Sequence, residues 1–199
     1  MEIDNELVVT YIDDNFDNSL VEVLRKGSVD LKYRLNNLKF SADSFDIEEF
    51  LDNRDIKGAA VIIMDSKLFQ TSKTKKKVYG EELMVILKRN LPFCSFLLIT
   101  QENNYEEIHA IKKYDSRLET DQPEEYYEKE IMPFVKSGLN SRLQIEAVAN
   151  RNGFKTNDLR GLSPFLKDEI NGDYSYSSLR VSDIDRLIQT VHEVLEGHE

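Results

Sequence analysis

The residues in this chain best suited to chemistry are acids that stop apolar runs. Asp13 and Asp14 follow the run Leu7-Val8-Val9-Thr10-Tyr11-Ile12, and Asp65 ends Ala59-Ala60-Val61-Ile62-Ile63-Met64. Thr100 ends a third run over residues 93–99, and Lys112 and Lys113 lie in a weaker segment at 107–114. Three carboxylates brought to one place repel each other unless a hard cation neutralises them. Mg2+ suits that role, because it takes oxygen ligands in an octahedron and often uses few carboxylates plus water and phosphate. A carboxylate can also attack phosphorus and become an aspartyl phosphate. The Thr100 hydroxyl and an ammonium, from Lys112 or Lys113, would then meet the phosphoryl oxygens and offset their charge. Each residue also has a plainer role. Asp is favoured at helix caps, and lysines on an edge strand discourage aggregation.

These roles require the strand ends to converge. The three runs are near-continuous and rich in β-branched residues, as in strands buried on both faces. Helical spacing falls between them. Leu20, Val23 and Leu24 predict a helix over residues 19–26 that stops at Gly27. Residues 38–42 read as a short strand, and Ile47, Phe50 and Leu51 as a short helix started by Ser44 or Asp46. A polar loop over 66–78 holds Lys73, Lys75, Lys76 and Lys77. Leu83, Ile86 and Leu87 share one face of a helix over 81–90, which Pro92 ends. Strands alternating with helices predict an α/β fold: a doubly wound, mainly parallel five-stranded sheet with ligands at the carboxyl ends of its strands.

The last third has a different texture. Pro123 suits the first turn of a helix over 124–131, which Pro133 interrupts or restarts. Beyond Gly138, residues 143–150 read as helical and 161–178 as turn-rich. Ile184, Leu187, Ile188, Val191 and Leu195 share one face of an amphipathic helix over 183–195. That stripe needs a partner surface, on its own chain or in a homodimer. The expected organisation is a domain over 1–139 and a small helical C-terminal extension over 140–199, for output, docking or dimerisation.

Composition bounds the function classes. The chain has 199 residues and a formal net charge of −11, of which −8 falls on the first 139 residues. That balance argues against nucleic acid or an anionic membrane as a general partner, since both are polyanions. A hydrophobic content of 40% supports a packed core despite 32% charged residues. The single cysteine, Cys94, excludes an intramolecular disulfide and a Cys-built zinc site. His109, His192 and His198 lack metal-ligand spacing. The apolar stretch 92–100 is too short to span a bilayer, and residues 1–5 show no signal-peptide pattern. The expected location is the cytoplasm.

The site residues occur in a recognisable order. Ile12-Asp13-Asp14-Asn15 looks like an acidic pair after a first strand. Val61-Ile62-Ile63-Met64-Asp65 looks like a third strand ending in an acceptor Asp. Tyr79-Gly80-Glu81-Glu82-Leu83, Leu97-Leu98-Ile99-Thr100 and Ala110-Ile111-Lys112-Lys113-Tyr114 follow. This set resembles the receiver domain of bacterial two-component response regulators, over about residues 6–139. The resemblance implies Mg2+-dependent transfer of a phosphoryl group from a histidine kinase or phosphotransfer protein to Asp65. Asp13, Asp14 and the backbone carbonyl of Lys67 would hold the metal with Asp65. Thr100 and Lys112 would contact the phosphoryl group and relay the change to a downstream protein. The sequence departs from the family in four places. The loop after Asp65 is long and lysine-rich, and Gln101 replaces a small residue. Lys113 stands where a Pro usually follows the Lys, and only eleven residues separate Thr100 from Lys112, little room for a fourth helix. Two alternatives accompany this reading: a pseudo-receiver that binds or scaffolds without phosphotransfer, and a Mg2+-dependent phosphohydrolase or nuclease.

Overall fold

The computed structural model describes residues 6–73, 77–101, 110–118 and 120–151. Among the described residues, five strands form one sheet: β1 (Leu7–Asp13), β2 (Tyr33–Lys39), β3 (Ala59–Asp65), β4 (Ser95–Thr100) and β5 (Ala110–Lys112). Every neighbouring pair is parallel, in the order β2-β1-β3-β4-β5. The three apolar runs of the sequence are the three interior strands, and every residue of β3 is buried. The helices are α1 (Asn18–Leu31), α2 (Ile47–Asp52), α3 (Arg54–Lys57), α4 (Gly80–Asn90) and α5 (Pro123–Arg151).

Strand alternation divides the core into two layers, because successive side chains leave opposite faces of the sheet. Val9, Tyr11, Val61, Ile63, Leu97 and Ile99 pack against Leu20 and Leu24 of α1 and Tyr127, Ile131, Val135 and Leu139 of α5. On the other face, Ile12, Ile62, Met64 and Leu98 pack against Ile56 of α3 and Leu83, Met84 and Leu87 of α4. The result is a three-layer α/β/α fold with the 2-1-3-4-5 order of flavodoxin-like sheets. Among the described residues, no helix is long and apolar enough to cross a membrane.

Several local expectations are corrected. The first helix does not stop at Gly27; it runs to Leu31 and ends on Lys32, whose backbone is left-handed at φ 55°. Gly27 is a close-approach residue instead, since a Cβ there would collide with the side chain of Met132 on α5. The strand expected at 38–42 lies earlier, at Tyr33–Lys39. Its sequence, YRLNNLK, has no apolar run because β2 is an edge strand. Pro133 neither interrupts nor restarts α5, which is continuous for 29 residues. The buried stripe Tyr127, Ile131, Val135 and Leu139 holds the helix to the sheet on both sides of the proline. Cys94 precedes β4 rather than lying in it and is half-buried. The histidines, the loop lysines 75 and 76, the room for a fourth helix at 102–109 and the helix over 183–195 lie outside the described residues.

Candidate metal centre

The strand order reverses between β1 and β3, so the crevice beyond their carboxyl ends is the topological switch point where ligands bind in such sheets. Asp13 ends β1, Asp14 follows it and Asp65 ends β3. All three are buried, at 1%, 1% and 3% exposure. One carboxylate oxygen from each lies within 4.8 Å of the others.

Each acid is held by its own set of hydrogen bonds. Asp13 shares a face of β1 with Tyr11, whose hydroxyl donates to Oδ2 at 2.5 Å; the Asn15 amide donates to Oδ1 at 2.8 Å. The Lys67 amide donates to Asp65 Oδ2 at 3.1 Å. The Thr71 amide, from the loop between β3 and α4, donates to Asp14 Oδ2 at 2.6 Å, and its hydroxyl lies 3.2 Å from the same oxygen. Asp14 Oδ1 is buried without a hydrogen-bond partner. A buried carboxylate oxygen without a donor is costly. A hard cation shared with the two neighbouring carboxylates would satisfy it. The residues present therefore fit a metal ion.

The backbone after Asp65 is set for the same crevice. Lys67 bridges Tyr79 in antiparallel fashion, but the ladder bonds are made by its neighbours, Leu68 to Val78 and Gly80 to Ser66. In that pattern the amide and carbonyl of Lys67 face the opposite edge, where the amide reaches Asp65. Gly80 makes this approach feasible, because a Cβ there would run into the carbonyl oxygen of Asp65.

Of the two lysines the sequence left open, the one beside the acids is Lys113, not the Lys112 that the resemblance implied. Its ammonium lies 3.5 Å from Asp65 Oδ1 and 3.7 Å from Asp13 Oδ2. Alternation explains the choice. Ile111 packs in the α1/α5 layer with Val61 and Ile63, and Ala110 in the other layer. Lys113 therefore leaves the face that carries Asp13 and Asp65, and Lys112 the opposite one. Thr100 is buried at the same sheet edge, one residue beyond Ile99, the register partner of Asp65. Its carbonyl accepts the Lys113 amide at 2.7 Å.

Burial pushes the Asp65 carboxyl up to about 6, helped by Asp13 and opposed by Lys113 and the Lys67 amide. Burial also raises Asp13, against the hydrogen bonds from Tyr11 and Asn15. Burial pulls Lys113 down, but Asp65, Asp13 and Asp17 together hold it above its ordinary value. Burial, then the Asp13 charge, pushes the Tyr11 hydroxyl far up, so it stays a donor. Sequence reasoning missed Tyr11 and Thr71. The two-residue spacing of Tyr11 and Asp13 on a strand was a usable signal; nothing in the sequence announced Thr71.

No protein-family model matches the sequence, and neither does any curated protein. Among solved structures, the chain is similar to a BeF3-activated DrrB receiver domain, with a TM-score of 0.42 and 16% identity over 66% of this chain and 98% of that one. It is also similar to the RcsB response regulator of Salmonella typhimurium, with a TM-score of 0.35 and 18% identity over 76% of this chain and 62% of that one. The parallel 2-1-3-4-5 sheet gives the chain a flavodoxin-like α/β fold with three buried acids at its β1/β3 switch point.

Proposed function

We propose that this chain is a response-regulator-like receiver in which Asp65 accepts a phosphoryl group in the presence of Mg2+. The observation that supports it most is the convergence of Asp13, Asp14 and Asp65 on one buried point, with Asp14 Oδ1 left without a donor. Asp13, Asp14, Asp65 and the Lys67 carbonyl would hold Mg2+. When bound, the ion neutralises charge on the acids and on the transferring phosphoryl oxygens. A carboxyl that titrates at about 6 is mostly ionised at neutral pH and available as a nucleophile. An Asp65 oxygen forms the new bond to phosphorus. The bond from phosphorus to the donor breaks, and its electron pair leaves on the imidazole of a phosphohistidine or on the acetate of acetyl phosphate. Lys113 would meet the phosphoryl oxygens, with Thr100 at the same edge. The donor is a histidine kinase or phosphotransfer protein, and the readout a shift between two populations that a downstream protein senses. The domain over 1–139 carries this chemistry, and 140–199 carries output, docking or dimerisation.

A second reading, a pseudo-receiver without transfer, is favoured by the loop after β3. Thr71 is latched on Asp14, and Ser72 and the Lys73 amide on Asp43 at 2.6 and 2.9 Å. Incubation with acetyl phosphate and Mg2+, followed by intact mass, separates the two. A gain of one phosphoryl group that is lost in Asp65→Asn supports the receiver. No gain with acetyl phosphate, and no Mg2+-dependent binding of beryllofluoride, refutes it in favour of the pseudo-receiver.

A further inference from the structure

Two buried tyrosines belong to a hydrogen-bonded ring that begins and ends at the acids. The Tyr11 hydroxyl donates to Asp13 Oδ2 and accepts the Asp17 amide at 3.4 Å. Asp17 Oδ2 accepts the Tyr127 hydroxyl at 2.6 Å. The Tyr127 oxygen in turn accepts the Tyr114 amide at 3.1 Å. Tyr114 follows Lys113, whose ammonium closes the ring on Asp13 and Asp65. The ring thus joins β1, the cap of α1, α5 and the segment after β5. Tyr11 and Tyr127 are 1% and 0% exposed, so water does not stand in for these bonds. Asp17 cannot drift, because its other oxygen caps α1 through the Ser19 and Leu20 amides.

We propose that Tyr11 and Tyr127 are positioning residues of the cation site, Tyr11 through Asp13 and Tyr127 through the segment that carries Lys113. This rests on reading the acid cluster as a cation site. Tyr11 occupies one oxygen of Asp13 and thereby sets the plane of the carboxylate. Tyr127 fixes the amide next to Lys113 and thereby where the ammonium falls between Asp13 and Asp65. Affinity at the acids is then tied to the seating of α5. Hydrogen-bonding groups behind metal ligands typically set affinity by about 10- to 100-fold. Phe at either position keeps the ring packing, with Phe16 at 5.4 Å from Tyr11 and Tyr126 at 5.4 Å from Tyr127.

The test titrates the full chain with Mn2+, an oxygen-seeking probe of such sites, and reads free ion by electron paramagnetic resonance. Wild type is compared with Tyr11→Phe, Tyr127→Phe and Tyr33→Phe. Tyr33 is the control: its buried hydroxyl donates to the Leu24 carbonyl at 2.5 Å, off the ring. Tyr11→Phe is expected to weaken Mn2+ binding about 10-fold, Tyr127→Phe to weaken it less, and Tyr33→Phe to leave it unchanged. Proton spectra of the metal-free protein should lose a downfield hydroxyl resonance in Tyr11→Phe and shift it in Tyr127→Phe. Equal affinity in wild type and both ring variants overturns the inference while the cation site stands. An equal loss in Tyr33→Phe overturns it as well. Absence of Mn2+ binding by wild type removes the cation site and this inference with it. Should Tyr11→Phe not fold, Tyr127→Phe decides by the same titration.

Discussion

Replacing Asp65 with Asn should stabilise the metal-free protein, and more at pH 8 than at pH 5. The side chain is 3% exposed, and its carboxyl titrates at about 6 instead of the ordinary 3.8. The native state therefore binds more protons than the unfolded state between those values, so stability falls as pH rises through that window. Each unit is worth about 1.4 kcal/mol, so ionised Asp65 costs the fold about 3 kcal/mol at pH 8. At pH 5 the native carboxyl is still mostly protonated, and the same linkage leaves a cost of about 1.5 kcal/mol. Asn keeps the shape and an acceptor for the Lys67 amide but carries no charge. The advantage of Asp65→Asn should thus grow by about 1.5 kcal/mol from pH 5 to pH 8, or about 3–6 °C in melting temperature for a chain of this size. Thermal and urea unfolding in EDTA at both pH values measure it. If Asp65→Asn is the less stable protein at pH 8, the attraction of Lys113 exceeds burial and repulsion, and the reasoning is refuted. An equal effect at both pH values refutes the titration window.

Mg2+ at about 100 times its dissociation constant should stabilise wild type by about 2.7 kcal/mol; Asp14→Asn should abolish that gain, and a full gain in Asp14→Asn would remove Asp14 from the site. Lys113→Met should cost about 3 kcal/mol in urea unfolding at pH 7.5 without metal, since it leaves two buried acids without their cation. Lys112→Met should fall within about 0.5 kcal/mol of wild type; the reverse ranking would reassign the lysine.

The interior of the sheet was legible because β1, β3 and β4 are buried on both faces and so read as unbroken apolar runs. The acids were legible for the same reason: Asp13, Asp14 and Asp65 are the first polar residues after those runs. Edges were harder. β2 is paired on one side only, and Tyr33-Arg34-Leu35-Asn36-Asn37-Leu38-Lys39 shows neither a run nor strict alternation. Gly27 and Pro133 misled because local punctuation is outweighed by packing: both lie where α1 meets α5, and the tertiary stripe on α5 decides the helix. The choice between Lys112 and Lys113 is a question of parity on a three-residue strand. A one-residue error in register reverses it, and the sequence around Ala110 carries too few apolar residues to settle the phase.

Charge balance connects the acids, the lysine and the ring. If all three carboxylates are ionised they bring three negative charges, and Lys113 returns one. The remainder equals the charge of one divalent cation. Two charges within 4.8 Å of each other repel by at least about 3.5 kcal/mol at an effective dielectric constant of 20, the same order as the cost worked out for Asp65. Lys113 cannot relieve all of it, because it is shared between two acids at 3.5 and 3.7 Å and leaves Asp14 Oδ1 without a donor. A phosphoryl group on Asp65 would replace one negative charge there with nearly two. The shared ammonium would be drawn toward it and away from Asp13. Among the described residues, Asp13 would then keep the Tyr11 hydroxyl and the Asn15 amide as donors. Tyr11 therefore belongs on the acid that loses its ammonium, and Tyr127 on the segment that delivers it.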